Sequence, residues 1–213
     1  MKTKTLLIAA AALAAGVMSS QAQVYSQNIV GYINVPLNAG YTLVANQLDL
    51  DGTGTNNGLY TVLGTNLPPN TSVLAWNGSG YDSTKLTAAG KWLANNQTFT
   101  NAMNPGAGFF VNSPTATNIT LVGSVIMGTN SYPIVAGYQI VSASAPIAGG
   151  ISSTNGYAPS KNDQVLSWTG TGYTSQKWSG TTWLGGQPNL AVGEAVFINA
   201  SSNNVWTQVV NVQ

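Results

Sequence analysis

The sequence predicts an all-β protein made of two tandem copies of one module, each a β-sandwich or a small barrel. The first reason is a repeat, because Ser-Val-Leu-Ala-Trp-Asn-Gly-Ser-Gly-Tyr at residues 72–81 returns as Gln-Val-Leu-Ser-Trp-Thr-Gly-Thr-Gly-Tyr at residues 164–173. Each copy has a short apolar run, a glycine-containing turn and an aromatic residue that opens a second run, which is the pattern of a β-hairpin. The second reason is that short runs rich in Val, Ile, Tyr, Trp and Thr alternate with Gly, Asn and Pro turns. No window of about ten residues carries an apolar stripe of helical period.

Residues 1–22 are expected to be a secretory signal peptide that is removed before Gln23. Lys2 and Lys4 form a positive start, residues 6–17 are apolar, and Ser20-Gln21-Ala22 places small residues before a cleavage point. The apolar run is shorter than the roughly 20 residues of a membrane-spanning helix, and no cysteine follows it for lipid attachment. We therefore expect a secreted protein, extracellular or on the cell surface, with the periplasm as an open alternative and no transmembrane segment in the mature chain.

The chain from Gln23 onward is almost uncharged, which excludes some partners and favours others. It has no arginine and carries four lysines against five carboxylates, so its net charge is −1. Nucleic-acid binding requires a basic surface that neutralises phosphates, so no nucleic-acid partner is expected. A surface with so little charge lacks the repulsion that keeps protein molecules apart, which favours self-association. Cysteine is absent as well, so packing and strand pairing alone must hold the modules together.

The first module is expected at residues 23–127. Its opening run ends near Pro36, since proline cannot donate a hydrogen bond to a ladder. A polar loop at residues 48–58 follows the second strand, and residues 59–63 fit one helical turn or a short strand equally well. The first two strands are expected at residues 24–37 and 39–46. The later ones are expected at the hairpin of residues 72–81 and at residues 91–93, 109–112 and 118–125.

The second module is expected at residues 128–213 and repeats the same order. Residues 133–141 match residues 36–44 at an offset of 97, and the hairpin repeats at an offset of 92. Residues 193–199 match residues 106–112 at an offset of 87, so the offset shrinks from one run to the next. Because the losses fall in turns, the pattern indicates a duplication followed by loop trimming.

The aromatic residues divide into two groups. Four pairs occupy equivalent positions in both modules and are predicted to be core residues: Trp76 with Trp168, Trp92 with Trp183, Tyr41 with Tyr138, and Tyr81 with Tyr173. Trp178 instead matches Leu86, and Trp206 matches Ile119. The shared core does not require an indole at these two positions, so Trp178 and Trp206 are the candidate surface aromatics that would stack on a sugar or on a partner chain.

The loop that begins at Asp49 resembles the start of an EF-hand calcium loop. Asp49 and Asp51 stand at positions 1 and 3, and Gly54 stands at position 6. Calcium needs six to eight oxygen ligands, and position 12 of such a loop should be a bidentate glutamate, whereas this chain has Tyr60 there. A turn-rich loop is therefore the favoured interpretation, with Asp49 and Asp51 as weak metal candidates and no cofactor expected.

The residue inventory argues against an enzyme. Without histidine or cysteine the chain cannot form the usual acyl-transfer triads or histidine-bearing zinc sites. A glycosidase needs two facing carboxylates, and only Asp82, Asp163 and Glu194 lie outside the loop. No catalytic residue is predicted, and a hydrolytic enzyme is the weakest alternative.

Three motifs in order resemble a bacterial secreted β-module. They are Ala-Gly-Tyr-Thr-Leu-Val-Ala-Asn at residues 39–46, the hairpin at 73–81, and Asn-Pro-Gly-Ala-Gly-Phe-Phe-Val at 104–111. The usual form of this uncharacterised surface and secreted family is AGWNLI…WxGxxY…PGxGFWV, often in tandem. Tyr41 and Tyr138 replace its tryptophan, and residues 191–193 replace its second Pro-Gly-x-Gly. The resemblance implies an exported β-rich fold and brings no enzymatic activity.

Two functions remain as expectations. The first is an exported, non-enzymatic structural or surface protein that assembles head to tail through strand edges, because unpaired edges recruit other chains. The candidate assembly residues lie in the first and last runs: Val24, Tyr25, Ile29, Val30, Tyr32, Val209, Val210 and Val212. The alternative is a pair of carbohydrate-binding modules with a polysaccharide partner.

Overall fold

A computed structural model describes residues 29–94 and 102–211 of the chain. These residues form sixteen β-strands and one short helix, which confirms the all-β prediction. The first half contains β1 (Val30–Leu37), β2 (Gly40–Ala45), α1 (Leu59–Leu63), β3 (Ser72–Trp76), β4 (Tyr81–Leu86), β5 (Trp92–Ala94), β6 (Gly108–Ser113) and β7 (Thr117–Ser124). Residues 24–28 of the predicted opening run lie outside the described residues.

Three residues separate β7 from β8, the first strand of the second half. It contains β8 (Gly128–Ile134), β9 (Gly137–Val141), β10 (Gly149–Gly150), β11 (Gln164–Trp168), β12 (Tyr173–Trp178), β13 (Trp183–Leu184), β14 (Asn189–Leu190), β15 (Val196–Ala200) and β16 (Asn204–Val210). Residues 59–63, for which the sequence left helix and strand open, are helical, and their five-residue helix ends at Gly64 with a φ of 62°.

The two halves have the same topology, which confirms the prediction of two similar β modules. In the first, a five-stranded antiparallel sheet has the order β2-β6-β3-β4-β5, and β1 pairs with β7 in a separate two-stranded ribbon. In the second, the sheet order β9-β15-β11-β12-β13 and the ribbon β8–β16 repeat this arrangement strand for strand. We call the five-stranded sheet and the ribbon of the first half sheet 1 and ribbon 1, and those of the second half sheet 2 and ribbon 2. A short β10–β14 pair has no counterpart among the described residues of module 1.

The repeated hairpin owes its turn to one side chain and one glycine. Trp76 and Tyr81 are the last register partners, and four residues connect them. The Asn77 Oδ1 accepts hydrogen bonds from the backbone N–H of Ser79 (3.1 Å) and Gly80 (2.8 Å). Gly78 adopts a φ of +98°, a left-handed conformation that favours glycine. This turn fixes the register that places both aromatic rings on one face of the sheet.

The core of module 1 lies between ribbon 1 and one face of sheet 1. Ile33, Val35, Ile119 and Leu121 point inward from the ribbon and are buried, while their strand neighbours alternate outward. They pack on Val44, Val73, Phe109 and Val111 of the sheet, with Leu59 and Val62 of the helix beside them. Module 2 forms the equivalent core between ribbon 2 and sheet 2. Each module is thus a two-layer sandwich.

The opposite faces of the two sheets pack against each other. Their shared cluster contains Leu43, Ala45 and Phe110 from sheet 1, and Ile140, Ala195 and Phe197 from or beside sheet 2. Where the two sheets overlap, each has its own ribbon on one face and the other sheet on the second face, so the layers there run ribbon 1, sheet 1, sheet 2, ribbon 2. The two ribbons are therefore the outer layers of the molecule.

Candidate functional surfaces

The interface between the modules is held by paired, symmetry-related hydrogen bonds. The Trp76 Nε1–H donates to the Tyr138 carbonyl (2.8 Å), and the Trp168 Nε1–H donates to the Tyr41 carbonyl (2.9 Å). These four residues are the equivalent pairs of the two repeats. Each module therefore gives the other the same contact that it receives, as in an isologous interface between identical subunits.

A second reciprocal pair lies at the sheet edges. The Ala45 N–H donates to the Gly193 carbonyl (2.8 Å), and the Ser142 N–H donates to the Gly106 carbonyl (2.9 Å). These residues again correspond between the modules, at the offsets of 97 and 87 found in the sequence. The interface thus follows an approximate two-fold axis that relates module 1 to module 2.

One buried amide breaks this symmetry and joins the modules directly. Gln47 is fully buried, its Oε1 accepts from the Gly193 N–H (2.8 Å), and its Nε2 donates to the Ser142 Oγ (3.2 Å). The Ser142 hydroxyl donates in turn to the Glu194 carbonyl (2.7 Å). Because each of these buried polar groups has a partner, the network stabilises a single relative orientation of the two modules.

An aromatic cleft opens where the two sheets meet. It has a volume of about 280 Å³ and is lined by Trp76 and Tyr81 of module 1 and by Tyr138, Leu166, Tyr173 and Phe197 of module 2. We call it the inter-module cleft. Phe197 is 6% exposed, and its ring makes edge-to-face contacts with Trp76, Tyr138 and Tyr173, at centroid distances of 5.7, 6.4 and 5.8 Å. The three tyrosines are 41–49% exposed and form its rim.

No charged side chain lines the cleft, and two of its tyrosines have raised pKa values. Burial raises the pKa of Tyr173 to about 12, with the neighbouring Tyr81 phenol as the second cause. Burial also raises the pKa of Tyr81 above its ordinary value. The side chains that line the cleft therefore offer neutral aromatic rings and neutral hydroxyl groups at physiological pH.

A second cavity, of about 320 Å³, lies near the sheet junction and includes the carboxylate of Glu194 among its lining residues. Burial raises the pKa of Glu194 above its ordinary value of 4.5, although a hydrogen bond from the Ala191 N–H to its Oε2 (2.8 Å) partly offsets this effect. The ionised side chain is thus less stable in the folded protein than in the unfolded chain.

Replacing Glu194 with glutamine is expected to stabilise the protein at about pH 7 and to have little effect at about pH 3. Since the folded pKa is raised, the wild-type protein loses stability as the pH rises through 4.5 toward the folded value, and the loss then stays constant. Glutamine keeps an acceptor for the Ala191 N–H but does not ionise. Melting temperatures of both proteins across this range test the prediction, which fails if the variant is less stable at neutral pH.

The outer faces of the two ribbons carry exposed apolar side chains. On ribbon 1, Val30, Tyr32 and Val122 are 70%, 73% and 52% exposed, and Tyr32 is the register partner of Val122. We call these three residues stripe 1. On ribbon 2, Val205 and Val209 are 51% and 58% exposed and form stripe 2. The inward residues of the same strands are buried, so the stripes follow from the two-residue period of the strands.

Each end strand has a pairing partner within its own module. β1 pairs with β7 along its whole length, and β16 pairs likewise with β8. Each end strand therefore folds back onto its own module, because its inward residues bury against that module's sheet. Among the described residues neither β1 nor β16 has a ladder on its second edge.

The candidate assembly residues fall into three groups. Ile29, Val30, Tyr32 and Val209 are exposed. Val210 was wrongly included, because it is only 7% exposed and faces the core, one residue out of phase with Val209. Val24, Tyr25 and Val212 lie outside the described residues.

The prediction of two surface tryptophans is wrong for Trp206. Its side chain is 2% exposed, packs on Tyr157 at a centroid distance of 5.2 Å, and donates from Nε1 to the Asn155 carbonyl (2.6 Å). The position it matches, Ile119, is a core position too, so the larger indole fills the same layer. Trp178 is half-buried and makes an edge contact with Trp183 at 5.4 Å.

The predicted core tryptophans also occupy different layers. Trp92 is 8% exposed, as predicted, and its Nε1–H donates to the Gly64 carbonyl (2.8 Å). Trp76 and Trp168 are partly buried, and they lie between the modules rather than inside either core. Trp183 is partly buried against the module 2 core.

The Asp49 loop is organised by its own hydrogen bonds. The Asp49 carboxylate is buried and accepts from the Gly54 N–H (2.8 Å) at one oxygen and from the Asn57 amide (3.0 Å) at the other. Asp51 accepts from the Thr53 N–H and hydroxyl, and these bonds lower the pKa of Asp51. The structure thus gives Asp49 and Asp51 a turn-forming role. Among the described residues no three His, Cys, Asp or Glu side chains cluster as metal ligands would.

Asp163 is the centre of the buried polar structure of module 2. Its carboxylate is completely buried and accepts four hydrogen bonds, from the Tyr157 hydroxyl (2.7 Å), the Ser160 N–H (2.8 Å), and the N–H and hydroxyl of Ser201 (both 2.8 Å). Burial and this carboxylate raise the pKa of Tyr157 far above its ordinary range. The arrangement ties the connection before β11 to the turn between β15 and β16.

Comparison with known proteins adds no relative. No family model matches the chain, and neither a curated protein nor a solved structure matches it. Within the part of the chain that the structure describes, no helix is long and apolar enough to cross a membrane.

The sequence did not identify the inter-module cleft. Its signal was present in the repeat, since Trp76 and Trp168, Tyr41 and Tyr138, and Tyr81 and Tyr173 match in pairs. The presence of these aromatic residues in both copies indicated a shared packing role. Such a role is compatible both with the core of each module and with a symmetric interface between the modules, so the pattern alone did not distinguish the two.

Proposed function

We propose that this protein is an exported, non-enzymatic structural or surface-associated protein that assembles through the outer faces of its two ribbons. The observation that carries the proposal is that both outer layers of the molecule present apolar side chains, in stripe 1 and stripe 2. Contiguous apolar groups on an outer surface are typical of protein interaction sites. The leader-like residues 1–22 support export.

The expected strength of the contact is moderate. Fully burying an exposed apolar side chain contributes about 1.5–3 kcal/mol, so the five stripe residues, already partly covered, supply roughly 5–10 kcal/mol. Association costs about 4–15 kcal/mol in lost freedom and side-chain ordering. Assembly is therefore expected to depend on concentration, and the very low charge of the surface removes most of the electrostatic opposition.

The two stripes determine the direction of assembly. Stripe 1 carries a tyrosine and two valines, whereas stripe 2 carries two valines on the opposite outer layer. Contact between stripe 1 of one molecule and stripe 2 of the next is heterologous, and it leaves one stripe free at each end. Such a contact continues into a head-to-tail filament unless the rotation closes a ring. Among the described residues neither β1 nor β16 has a ladder on its second edge, and strand addition there would add to the same contact.

A non-enzymatic role is supported by what the acidic side chains do. Asp163 is occupied by four donors inside module 2, and Asp49 is occupied by its loop. Asp82 accepts from the Asn77 amide at 2.9 Å beside the hairpin turn. Each of these carboxylates organises local structure.

Placing charge in stripe 1 is expected to reduce association of the chain that begins at Gln23. In Tyr32→Lys combined with Val122→Lys, two ammonium groups would be desolvated at the contact, which is unfavourable. Sedimentation velocity across a concentration series should show assembly of the wild-type protein and a largely monomeric variant. Negative-stain microscopy should show linear particles for the wild type alone.

Leu184→Lys is the matched control for this experiment. The exposed fraction of Leu184 is 55%, similar to the 52% of Val122. Leu184, however, lies on the edge strand of sheet 2 rather than on a ribbon. This variant should assemble like the wild type. A strictly monomeric wild-type protein at high concentration, or a control that loses assembly as much as the ribbon variant, contradicts the proposal.

A further inference from the structure

We propose that the inter-module cleft is a binding site for one ring of a neutral saccharide. This function is separate from assembly, because the cleft lies between the two sheets and the stripes lie on the outer ribbons. The site requires both modules, since Trp76 and Tyr81 come from one and the other four lining residues come from the second.

The shape of the cleft favours a small flat ligand. Its more buried members are Phe197, Leu166 and Trp76, and its rim is formed by Tyr81, Tyr138 and Tyr173. Sites for small molecules are concave and mostly apolar, with a few polar groups that set orientation. A volume of about 280 Å³ suits a ligand segment the size of a sugar ring better than it suits the surface of a protein partner.

The chemistry of the lining selects a neutral ligand that has both an apolar face and hydroxyl groups. A pyranose ring presents C–H bonds on its faces, which pack on aromatic rings, and hydroxyl groups around its edge. The rings of the rim tyrosines can pack on the C–H faces of the sugar. Their hydroxyl groups can donate hydrogen bonds to the sugar hydroxyl groups or accept hydrogen bonds from them. No Lys, Asp or Glu lines the cleft, so a charged ligand would lose water without gaining a partner.

The rim tyrosines hold more exposed surface than the docking of the modules requires. The main contacts between the modules are made by the buried rings of Phe110 and Phe197 and by the two indole N–H groups. Tyr138, by contrast, is 49% exposed while its carbonyl is already bonded to Trp76. Its ring can therefore be changed without breaking the hydrogen bond that fixes the interface.

The test is calorimetric titration of the chain from Gln23 with cellohexaose, maltohexaose and chitohexaose, and with oligogalacturonate as the charged arm. We expect saturable binding of at least one neutral oligosaccharide, at about 1 mM or tighter, and no binding of the charged one. Tyr138→Ala should weaken binding about tenfold, the scale of one lost aromatic contact. Tyr138→Leu keeps apolar packing on Phe197 but removes the flat ring, so it should weaken binding similarly. Because this variant is expected to fold, it distinguishes the loss of the ring from a folding defect.

Leu184→Ala is the control, because Leu184 is an exposed apolar residue outside the cleft and both ribbons, and it should bind like the wild type. The proposal is overturned if no neutral oligosaccharide binds, if oligogalacturonate binds more tightly, or if the Tyr138 variants bind as well as the wild type. Equal weakening by Leu184→Ala would also overturn it, since the loss of binding would then not be specific to the cleft. None of these outcomes bears on assembly, which the stripe variants test separately.

Discussion

Asp163→Ala is expected to lower the free energy of unfolding by about 3–5 kcal/mol. The wild-type carboxylate accepts four hydrogen bonds in a completely buried position. Alanine leaves three of these donors without their acceptor, while the Ser201 hydroxyl keeps the Lys161 carbonyl at 2.9 Å. Each unsatisfied buried donor costs about 1–3 kcal/mol, and relaxation together with removal of the buried charge reduces the sum. Denaturant titration followed by circular dichroism measures this loss.

The duplication supplies the control for this substitution. Thr71 occupies the equivalent position of module 1, is equally buried, and makes one side-chain hydrogen bond, to the Pro68 carbonyl (2.7 Å). Thr71→Ala should therefore cost about 1 kcal/mol. If both alanine variants lose the same stability, Asp163 is not the organising group that its contacts indicate.

Gly108→Ala is expected to cost about 1–3 kcal/mol by overpacking the inter-module interface. A methyl group on Gly108 would overlap the Ile140 side chain and would lie 2.6 Å from the Ala195 Cβ. Gly108 and Ala195 are equivalent positions of the two repeats and meet across the approximate two-fold axis. The interface thus has room for one methyl group at this point and not for two.

Two further variants isolate this effect. Gly80→Ala adds a methyl group to the hairpin turn, where nothing lies within 4 Å, so it should change stability by less than about 0.5 kcal/mol. Ala195→Gly added to Gly108→Ala should recover part of the loss, because it removes one of the two overlaps. Full stability of Gly108→Ala alone would mean that the modules do not pack as closely as described.

The all-β fold and its duplication could be predicted because their signals are local. The Asn77-Gly78 turn and its Thr169-Gly170 counterpart follow from side-chain acceptors and left-handed glycines, both of which depend only on neighbouring residues. The alternation that buries Ile33 and Val35 on ribbon 1 is likewise visible in the order of the residues.

The arrangement of layers could not be predicted, because it depends on contacts between distant residues. Phe109 and Phe110 are neighbours in β6, and both are buried, but Phe109 lies in the module 1 core and Phe110 in the inter-module interface. A strand that is buried on both faces reads as a continuous apolar run. The sequence therefore marked Trp76 and Trp168 as buried but could not assign them to the layer between the modules.

The errors at the ends of the chain have a related cause. Strand character was clear in β1 and β16, whereas the partner of each strand lies seventy or more residues away in the sequence. Trp206 was predicted at the surface because it replaces the isoleucine found at the equivalent position of module 1, Ile119. Both positions in fact lie in the core of their module, and in module 2 the Trp206 ring packs beside Tyr157.

Cysteine crosslinking tests head-to-tail assembly most directly, because the chain contains no cysteine of its own. Tyr32→Cys and Val209→Cys would be prepared separately from the chain that begins at Gln23, mixed and oxidised, with Leu184→Cys as the control partner. Contact between stripe 1 and stripe 2 predicts disulfide-linked pairs that join position 32 of one molecule to position 209 of another, with little product from either variant alone or from Leu184→Cys. Absence of the mixed product at concentrations where the protein assembles, or a predominance of pairs joined through two copies of position 32, would contradict it.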